Sequence, residues 1–136
     1  MIDTEIGNAG DIDTAVISFK LENGALGQIE NSRKAIYGYD QRVEIFGSKG
    51  SAISENNLPT NTLLINEYGT IREKPLYFFL ERYKDAFVNE LQNFVNCIYN
   101  DETPHVSGND GLAAILIALA CKESILKGNA IKVNSI

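Results

Sequence analysis

The sequence has 136 residues, of which 44% are hydrophobic and 22% are charged, and its net charge is -6. A chain of this length forms one domain with a core of its own, and we expect a single domain over residues 1–136. The acidic balance and the scattered cations exclude nucleic acid as the expected partner, because phosphate binding depends on clustered Lys and Arg. The longest apolar run, at 112–121, is shorter than the ~20 residues that a membrane span requires, so no membrane partner is expected either.

The start of the chain and its few metal-binding side chains also limit the possible functions. The first residues form neither the basic nor the apolar segment of a secretory signal, which predicts a cytoplasmic protein. Cys97 and Cys121 lie within apolar helical patterns, and His105 is the only histidine. This is too small a ligand set for zinc, so no metal site is expected. We expect two reduced core thiols and an exposed His105.

The first half of the chain predicts strands joined by short turns. Residues 14–21 alternate between apolar and polar side chains, and Asn23-Gly24 follows them. Alternation is typical of a strand, and this dipeptide is typical of a tight hairpin turn. Further strands are predicted at 25–33, 41–46, 51–55, 62–67 and 71–74, with a short closing strand at 130–133.

The second half of the chain predicts two helices. Apolar residues, Tyr83 among them, recur at spacings of three and four from Leu80 to Ile98, with charged residues opposite. A second helix is expected from Asp110, a suitable N-cap, to Lys127, followed by Gly128 at the left-handed C-cap. Strands followed by helices indicate an α+β fold. We expect a mainly antiparallel, open-faced sheet of about five to seven strands, with two long helices packed on one face.

The second face of this sheet is also expected to be apolar. Two helices are too few to cover every apolar side chain that the strands present. The residues left over are Val16, Leu26, Phe46 and Leu64. Because such a face usually contacts another subunit or domain, we expect a homo-oligomer through the open sheet face. Coverage of the face by loops is the alternative.

A polar and aromatic cluster between two predicted strands is the candidate site. It comprises Asn31, Ser32, Arg33, Tyr37, Tyr39, Asp40 and Arg42. Phenol, amide, carboxylate and guanidinium groups can each donate to or accept from the hydroxyls of a polyhydroxylated ligand. A solvent-exposed polar turn is the alternative interpretation. No nucleophile and base accompany the cluster in a catalytic arrangement.

Five segments carry a resemblance to a known family. They are GDIDTA at 10–15, LENGALG at 21–27, NSRKAIYGYDQRVEIFGSKG at 31–50, FLERYKDAF at 79–87 and GNDGLAA at 108–114. Together they resemble the C-terminal domain of inositol 2-dehydrogenases, which belong to the glucose-fructose oxidoreductase/inositol dehydrogenase/rhizopine catabolism (Gfo/Idh/MocA) oxidoreductase family. The resemblance covers nearly the whole chain, and the segment at 31–50 is its specific part.

The resemblance implies one part of an NAD-dependent enzyme. In the family an N-terminal Rossmann domain holds the cofactor, and the C-terminal sheet supplies substrate contacts and oligomer interfaces. This sequence has no Gly-x-Gly-x-x-Gly motif. The Rossmann domain is therefore expected as a missing partner, with NAD required by the full-length protein and no cofactor bound by this chain. The resemblance implies that Tyr39 contacts a ring hydroxyl of the polyol or sugar substrate. Tyr37, Asp40 and Arg42 are further substrate-binding candidates, and the alternative role for these three is to fix the loop.

The family's catalytic lysine lies in a Glu-Lys-Pro motif of the N-terminal domain, and Glu73-Lys74-Pro75 repeats those three residues. Here the tripeptide lies between a hairpin turn and the amphipathic helix, not after a buried Rossmann strand. Lys74 is therefore expected to be a solvated lysine at a strand end. The family's paired aspartate and histidine are absent as well. We expect no catalytic residue in this chain, which alone would be inactive; a stand-alone, non-enzymatic module for polyol binding or assembly is the alternative.

Overall fold

A computed structural model describes residues 3–133. The short helix α1 (Thr4–Asn8) precedes the strands β1 (Thr14–Lys20), β2 (Leu26–Ser32), β3 (Val43–Gly47), β4 (Gly50–Ser54), β5 (Leu63–Asn66) and β6 (Gly69–Arg72). The helices α2 (Phe79–Arg82), α3 (Lys84–Asn100) and α4 (Gly108–Lys127) follow. Antiparallel strands followed by helices confirm the α+β class.

The strands form three separate hairpins and not the single sheet expected from the sequence. β1 pairs with β2, β3 with β4 and β5 with β6, all antiparallel, and no ladder joins one hairpin to another within residues 3–133. Each hairpin closes through a local turn, so side-chain alternation and turn residues are enough to predict it. The order of hairpins in a sheet depends on non-local pairing, which a local pattern does not contain.

The sequence predicted that the two long helices would cover one face of the sheet. In the structure they do not cover a face of the hairpins. α3 contacts the short α2, but the apolar stripe of α3 stays accessible, with Leu91 67% exposed. Ile115 on α4 is 58% exposed, and Cys97 is the one buried apolar side chain among the described residues. Spacing identifies the apolar face of a helix, but it does not specify which surface covers that face.

The β1–β2 hairpin has a register fixed by two local features. Gly24 has a φ of +89°, and the Asn23 side chain accepts a hydrogen bond from the Ala25 N–H at 3.0 Å. Phe19 lies opposite Gly27, where an added Cβ would lie 2.1 Å from the Phe19 ring. The phenyl ring therefore occupies the space that only a glycine leaves open.

The helix ends differ from the expected ones at two points. Tyr83, with φ -106° and ψ 11°, interrupts the amphipathic helix and separates α2 from α3. Ser107 is the N-cap of α4, whereas Asp110 lies three residues further on and accepts hydrogen bonds from the Ser107 N–H and Oγ at 2.7 and 2.8 Å. The prediction of Asp110 as N-cap is therefore wrong, because Ser107 and Asp110 form a capping box together. Gly128 at the C-terminal end has a φ of +68°, as expected.

The structure also shows the conformation of residues 130–133 and the exposure of both cysteines, His105 and Lys74. Residues 130–133 are irregular, so the predicted closing strand is wrong; no neighbouring strand pairs with these described residues. Cys97 is buried, Cys121 is half-buried, and both are free thiols. His105 is exposed in the loop between α3 and α4, and Lys74 is exposed just beyond β6.

No helix within residues 3–133 is both long and apolar enough to span a membrane. The same residues hold no group of three or more His, Cys, Asp or Glu side chains arranged to bind a metal ion.

Candidate functional site

The loop between β2 and β3 is held against the segment that precedes α2. Gly38 is buried with a φ of +136°, and a Cβ at this position would lie 2.6 Å from the carbonyl oxygen of Pro75. The Tyr39 N–H donates to the carbonyl oxygen of Leu76 at 2.8 Å. A positive φ and a close backbone approach both require glycine. Gly38 thus allows two segments that are far apart in sequence to meet at Tyr39.

Asp40 is the centre of the polar cluster. Its Oδ1 accepts from Arg42 Nε at 2.8 Å and from Asn56 Nδ2 at 2.6 Å. Its Oδ2 accepts from Arg42 Nη2 at 2.8 Å and from the Tyr37 hydroxyl at 2.5 Å. A carboxylate offers about four acceptor sites, and the protein fills all of them here. Asp40 therefore organises the loop.

The charges in this cluster stabilise one another. The Arg42 guanidinium, and then the Tyr37 hydroxyl, hold the pKa of Asp40 well below its usual range. In return, the hydrogen bond to Asp40 raises the pKa of both Tyr37 and Arg42. Hydrogen bonds to the charged form of a carboxyl have this effect because they stabilise the ion over the acid. Near neutral pH, Asp40 is an anion and Tyr37 is neutral, so neither has the protonation behaviour of a general acid or base.

Tyr39 is half-buried and packs against Tyr83 at the junction of α2 and α3. Their ring centroids lie 5.4 Å apart at an interplanar angle of 81°, an edge-to-face arrangement. The Tyr83 hydroxyl donates to Gln41 Oε1, and burial, followed by the nearby Tyr39 hydroxyl, raises the pKa of Tyr83. Tyr83 thus fixes both the ring of Tyr39 and the side chain of Gln41.

Sequence reasoning did not identify three of these supporting residues. Tyr83 fits the apolar stripe of the predicted helix, so its spacing gave no sign of a polar role. Asn56 donates to Asp40 and accepts from the Gln41 N–H at 2.8 Å. Gln41 lies between Asp40 and Arg42 in sequence, but nothing in the sequence marked it as a supporting residue. Asn56 belongs to no spaced motif, and only the backbone path brings it to the cluster.

Three residues of the predicted cluster belong instead to the β1–β2 hairpin. Arg33 lies 4.0 Å from the carboxylate of Asp11. The Ser32 Oγ accepts from the Lys34 N–H at 3.3 Å, and Asn31 lies opposite Ala15 in the ladder. The structure therefore gathers Tyr37, Tyr39, Asp40 and Arg42 into one loop and places Asn31, Ser32 and Arg33 on the neighbouring strand and its end.

An open cleft of about 500 Å³ adjoins the cluster at Asn56 and Leu76. Its walls carry amide, carboxylate and cationic side chains, including Asn57, Glu81 and Arg82. The Nε atom of Arg82 is buried, with no hydrogen-bond partner among the described residues. A cleft of this size with mixed donors and acceptors is large enough for a sugar-sized molecule.

Comparison with known proteins finds relatives that match the whole described part of the chain. The family model for the oxidoreductase family, C-terminal alpha/beta domain, matches residues 3–133. The myo-inositol 2-dehydrogenase of Thermotoga maritima is 46% identical over 136 residues, which are 100% of this chain and 41% of that protein. A solved myo-inositol dehydrogenase from Corynebacterium glutamicum superposes with a TM-score of 0.91 at 36% identity, over 100% of this chain and 41% of that one.

A further solved relative contains ligands. The scyllo-inositol dehydrogenase from Lactobacillus casei, with bound NAD(H) and scyllo-inositol, superposes with a TM-score of 0.87 at 30% identity. This chain is covered to 98% in that comparison, and the Lactobacillus chain to 39%. The chain thus spans about two-fifths of the length of the relatives that it matches.

Proposed function

The chain belongs to the Gfo/Idh/MocA oxidoreductase family, whose C-terminal domain it matches, and from this premise we propose that it is the substrate-binding and oligomerisation part of an NAD-dependent dehydrogenase. The substrate is inositol or a related polyol or sugar, and the group that is oxidised is one of its ring hydroxyls. Myo-inositol and scyllo-inositol dehydrogenases among the relatives, one of them with NAD(H) bound, support this choice. The complete enzyme acts in the cytoplasm.

The position of Tyr39 carries the proposal. Its backbone N–H is bonded to Leu76, and its ring is held edge-on by Tyr83. A side chain fixed in this way loses little conformational freedom when a ligand binds. A phenol hydroxyl both donates and accepts, which suits a ring hydroxyl that does the same. We therefore assign Tyr39 as the contact to a substrate hydroxyl.

The neighbours of Tyr39 have supporting roles. The Tyr37 side chain is exposed and donates to Asp40, which leaves its oxygen as an acceptor for a second substrate hydroxyl. Arg42 uses two of its five N–H groups on Asp40 and keeps the others as donors. Asp40 binds substrate indirectly, by holding both of these side chains.

The chemical step requires groups that this chain does not supply. NAD, held by the missing N-terminal Rossmann domain, would supply the acceptor for the hydride that leaves the ring carbon bearing the hydroxyl. The proton of that hydroxyl passes to a base outside this chain. His105 is exposed on a loop and Lys74 just beyond a strand end, and we assign neither as that base. Alone, the chain binds no cofactor and catalyses nothing.

Assembly is the second part of the proposal. Four exposed apolar residues, one on each of β1, β2, β3 and β5, support the proposed homo-oligomer, because water reaches most of each side chain. They are Val16 at 63%, Leu26 at 82%, Phe46 at 85% and Leu64 at 57% exposed. Burial of such surface against a second copy stabilises the oligomer by roughly 25 cal/mol per Å².

A chimera tests the proposed function. This chain replaces the matching C-terminal segment of the Thermotoga maritima relative, and NADH formation is followed with myo-inositol and scyllo-inositol. The proposal predicts NAD-dependent oxidation of at least one of them. A folded chimera that binds NAD but oxidises no inositol or sugar would contradict it.

A stand-alone polyol-binding or assembly module is the second candidate. The observation that favours it is the polar cleft beside Asn56, which is formed entirely by this chain. Calorimetry of the isolated chain with myo-inositol, in the absence of NAD, separates the two functions. Micromolar binding supports the module, whereas a half-built substrate site predicts no measurable heat.

A further inference from the structure

Gln41 is a polar side chain of the Tyr39 loop to which the proposed function gives no role. Its backbone N–H donates to Asn56 Oδ1 at 2.8 Å. Its side-chain Oε1 accepts a hydrogen bond from the Tyr83 hydroxyl. The residue is nevertheless exposed, and its Nε2 atom has no hydrogen-bond partner among residues 3–133. The two N–H donors of this amide group therefore remain free for a ligand.

The bond from Tyr83 also determines which end of the Gln41 amide is free. The oxygen and the nitrogen of an amide lie on opposite branches of one planar group, so a bond that holds Oε1 fixes Nε2 as well. The main chain of Gln41 is held at the same time by Asn56. A donor that is fixed in advance loses little conformational freedom when a ligand binds. Gln41 therefore presents a preorganised donor.

Tyr83 is itself held in place by its neighbours. It lies at the interruption between α2 and α3, with φ -106° and ψ 11°. The Phe87 ring lies 6.2 Å away between centroids, at an interplanar angle of 67°, and the Arg82 guanidinium carbon lies 5.5 Å from the centroid of the Tyr83 ring. Edge-to-face and cation–π contacts of this kind favour one orientation of a ring. The hydroxyl that reaches Gln41 is therefore carried by a fixed side chain.

Tyr39 and Gln41 meet at Tyr83. The rings of Tyr39 and Tyr83 are in edge-to-face contact, with centroids 5.4 Å apart. Burial, and then the Tyr39 hydroxyl, raise the pKa of Tyr83, which agrees with two hydroxyls that lie close together. The Tyr39 hydroxyl and the Gln41 amide therefore lie beside the same Tyr83 hydroxyl. A few polar groups placed close together in this way can orient one small ligand.

We propose that Gln41 is a second substrate contact, in which Nε2 donates to a ring hydroxyl next to the one that Tyr39 contacts, and that Tyr83 is its positioning residue. This role rests on the proposed function and deepens it, because the recognised group becomes a pair of neighbouring hydroxyls on one ring. A hydroxyl oxygen accepts the amide N–H, as the pairing requires. A ring that lacks the second hydroxyl loses the bond to Gln41.

Steady-state kinetics of the chimera, with myo-inositol and with each of its monodeoxy analogues, test this role. Gln41→Leu removes the donor, so the KM for myo-inositol should rise about fivefold to tenfold while the KM for NAD does not change. For one analogue the KM should be equal in Gln41→Leu and in the parent, because the hydroxyl that the amide contacts is missing. Gln28→Leu, at an exposed glutamine on β2, is the matched control and should behave as the parent.

Tyr83→Phe tests the positioning role. It keeps the ring beside Tyr39 and removes the hydroxyl that holds Gln41 Oε1. The KM for myo-inositol should rise about threefold. Combined with Gln41→Leu, the rise should be smaller than the product of the two single effects, because Tyr83 acts through Gln41. Hydrogen exchange of the Tyr39 amide, which is bonded to Leu76 O, should be the same in all these variants and in the parent, as expected for an intact loop.

Two results would overturn the role of Gln41. One is an unchanged KM for myo-inositol in Gln41→Leu. The other is a rise of equal size for myo-inositol and for every monodeoxy analogue, since a displaced loop and not a lost contact would produce it. In both cases the parent chimera still oxidises inositol, and the proposed function stands. A parent chimera that oxidises no inositol or sugar contradicts the proposed function itself, and the role of Gln41 with it.

Discussion

Replacing Asp40 by Asn should release the loop that carries Tyr39. The substitution keeps the shape of the side chain, but it removes the negative charge and places an amide donor among groups that themselves donate. Arg42 is 58% exposed and is solvated again by water, so the loss of this ion pair costs at most about 1 kcal/mol. The hydrogen bonds from Tyr37 and Asn56 add about 1 kcal/mol more. We expect a total of about 2 kcal/mol, or about thirtyfold in the opening equilibrium.

Native-state hydrogen exchange in the chimera measures this opening directly. The amides of Tyr39 and Gln41 report it, because they are bonded to Leu76 O and Asn56 Oδ1. In Asp40→Asn both amides should exchange about thirtyfold faster. The matched control is Glu44→Gln, which removes an exposed carboxylate on β3 and should leave both rates unchanged. Equal protection in Asp40→Asn and the parent would refute the assignment of Asp40 as the organising residue.

The protection of the same loop amides should depend on pH in a defined way. The pKa of folded Asp40 lies below its unfolded value of about 3.9. The stability that Asp40 contributes is therefore complete above about pH 4 and is lost as the pH falls through the folded pKa. Loop protection, corrected for intrinsic exchange, should be flat near neutrality and should fall in acid. Asp40→Asn should lack this acid-induced fall.

Three further substitutions test single features of the fold. Gly38→Ala places a methyl group against the Pro75 carbonyl at a φ of +136°, and urea titration of the chimera should show a loss of about 2 kcal/mol or more; an unchanged midpoint would contradict the close approach. Phe46→Lys should shift the chimera toward smaller species in sedimentation, and an unaltered oligomer would place the interface elsewhere. Ser107→Ala removes the capping box with Asp110 and should lower stability by about 1 kcal/mol, whereas no loss would show that the cap is dispensable.

Local features of this fold follow from the sequence. The alternation in β1 and the Asn23-Gly24 dipeptide predict the first hairpin, and the structure has β1 and β2 paired in the expected place. Gly128 ends α4 in the left-handed conformation for the same reason, because the responsible residue lies at the position that it controls. Tyr37, Asp40 and Arg42 are close in sequence, so their meeting in one loop was also predictable.

The remaining features depend on contacts between distant segments. Tyr83 and Asn56 reach the Tyr39 loop through the backbone path around Leu76, which no spacing rule encodes. The expected single sheet fails for a related reason: periodicity shows that β3 and β5 are strands, but it does not encode their pairing, and no ladder within residues 3–133 joins them. Amphipathic spacing in α3 likewise identified an apolar face without identifying its cover.

The steady-state kinetics of Tyr39→Phe in the chimera test the central claim most directly. The change keeps the ring against Tyr83 and removes the hydroxyl that we assign to the substrate. Loss of one hydrogen bond to an uncharged ligand is worth about 1 kcal/mol, so the KM for the inositol substrate should rise about fivefold to tenfold. The KM for NAD should not change, and Tyr99→Phe, at a tyrosine 87% exposed on α3, should behave as the parent. An unchanged inositol KM in Tyr39→Phe would contradict the account.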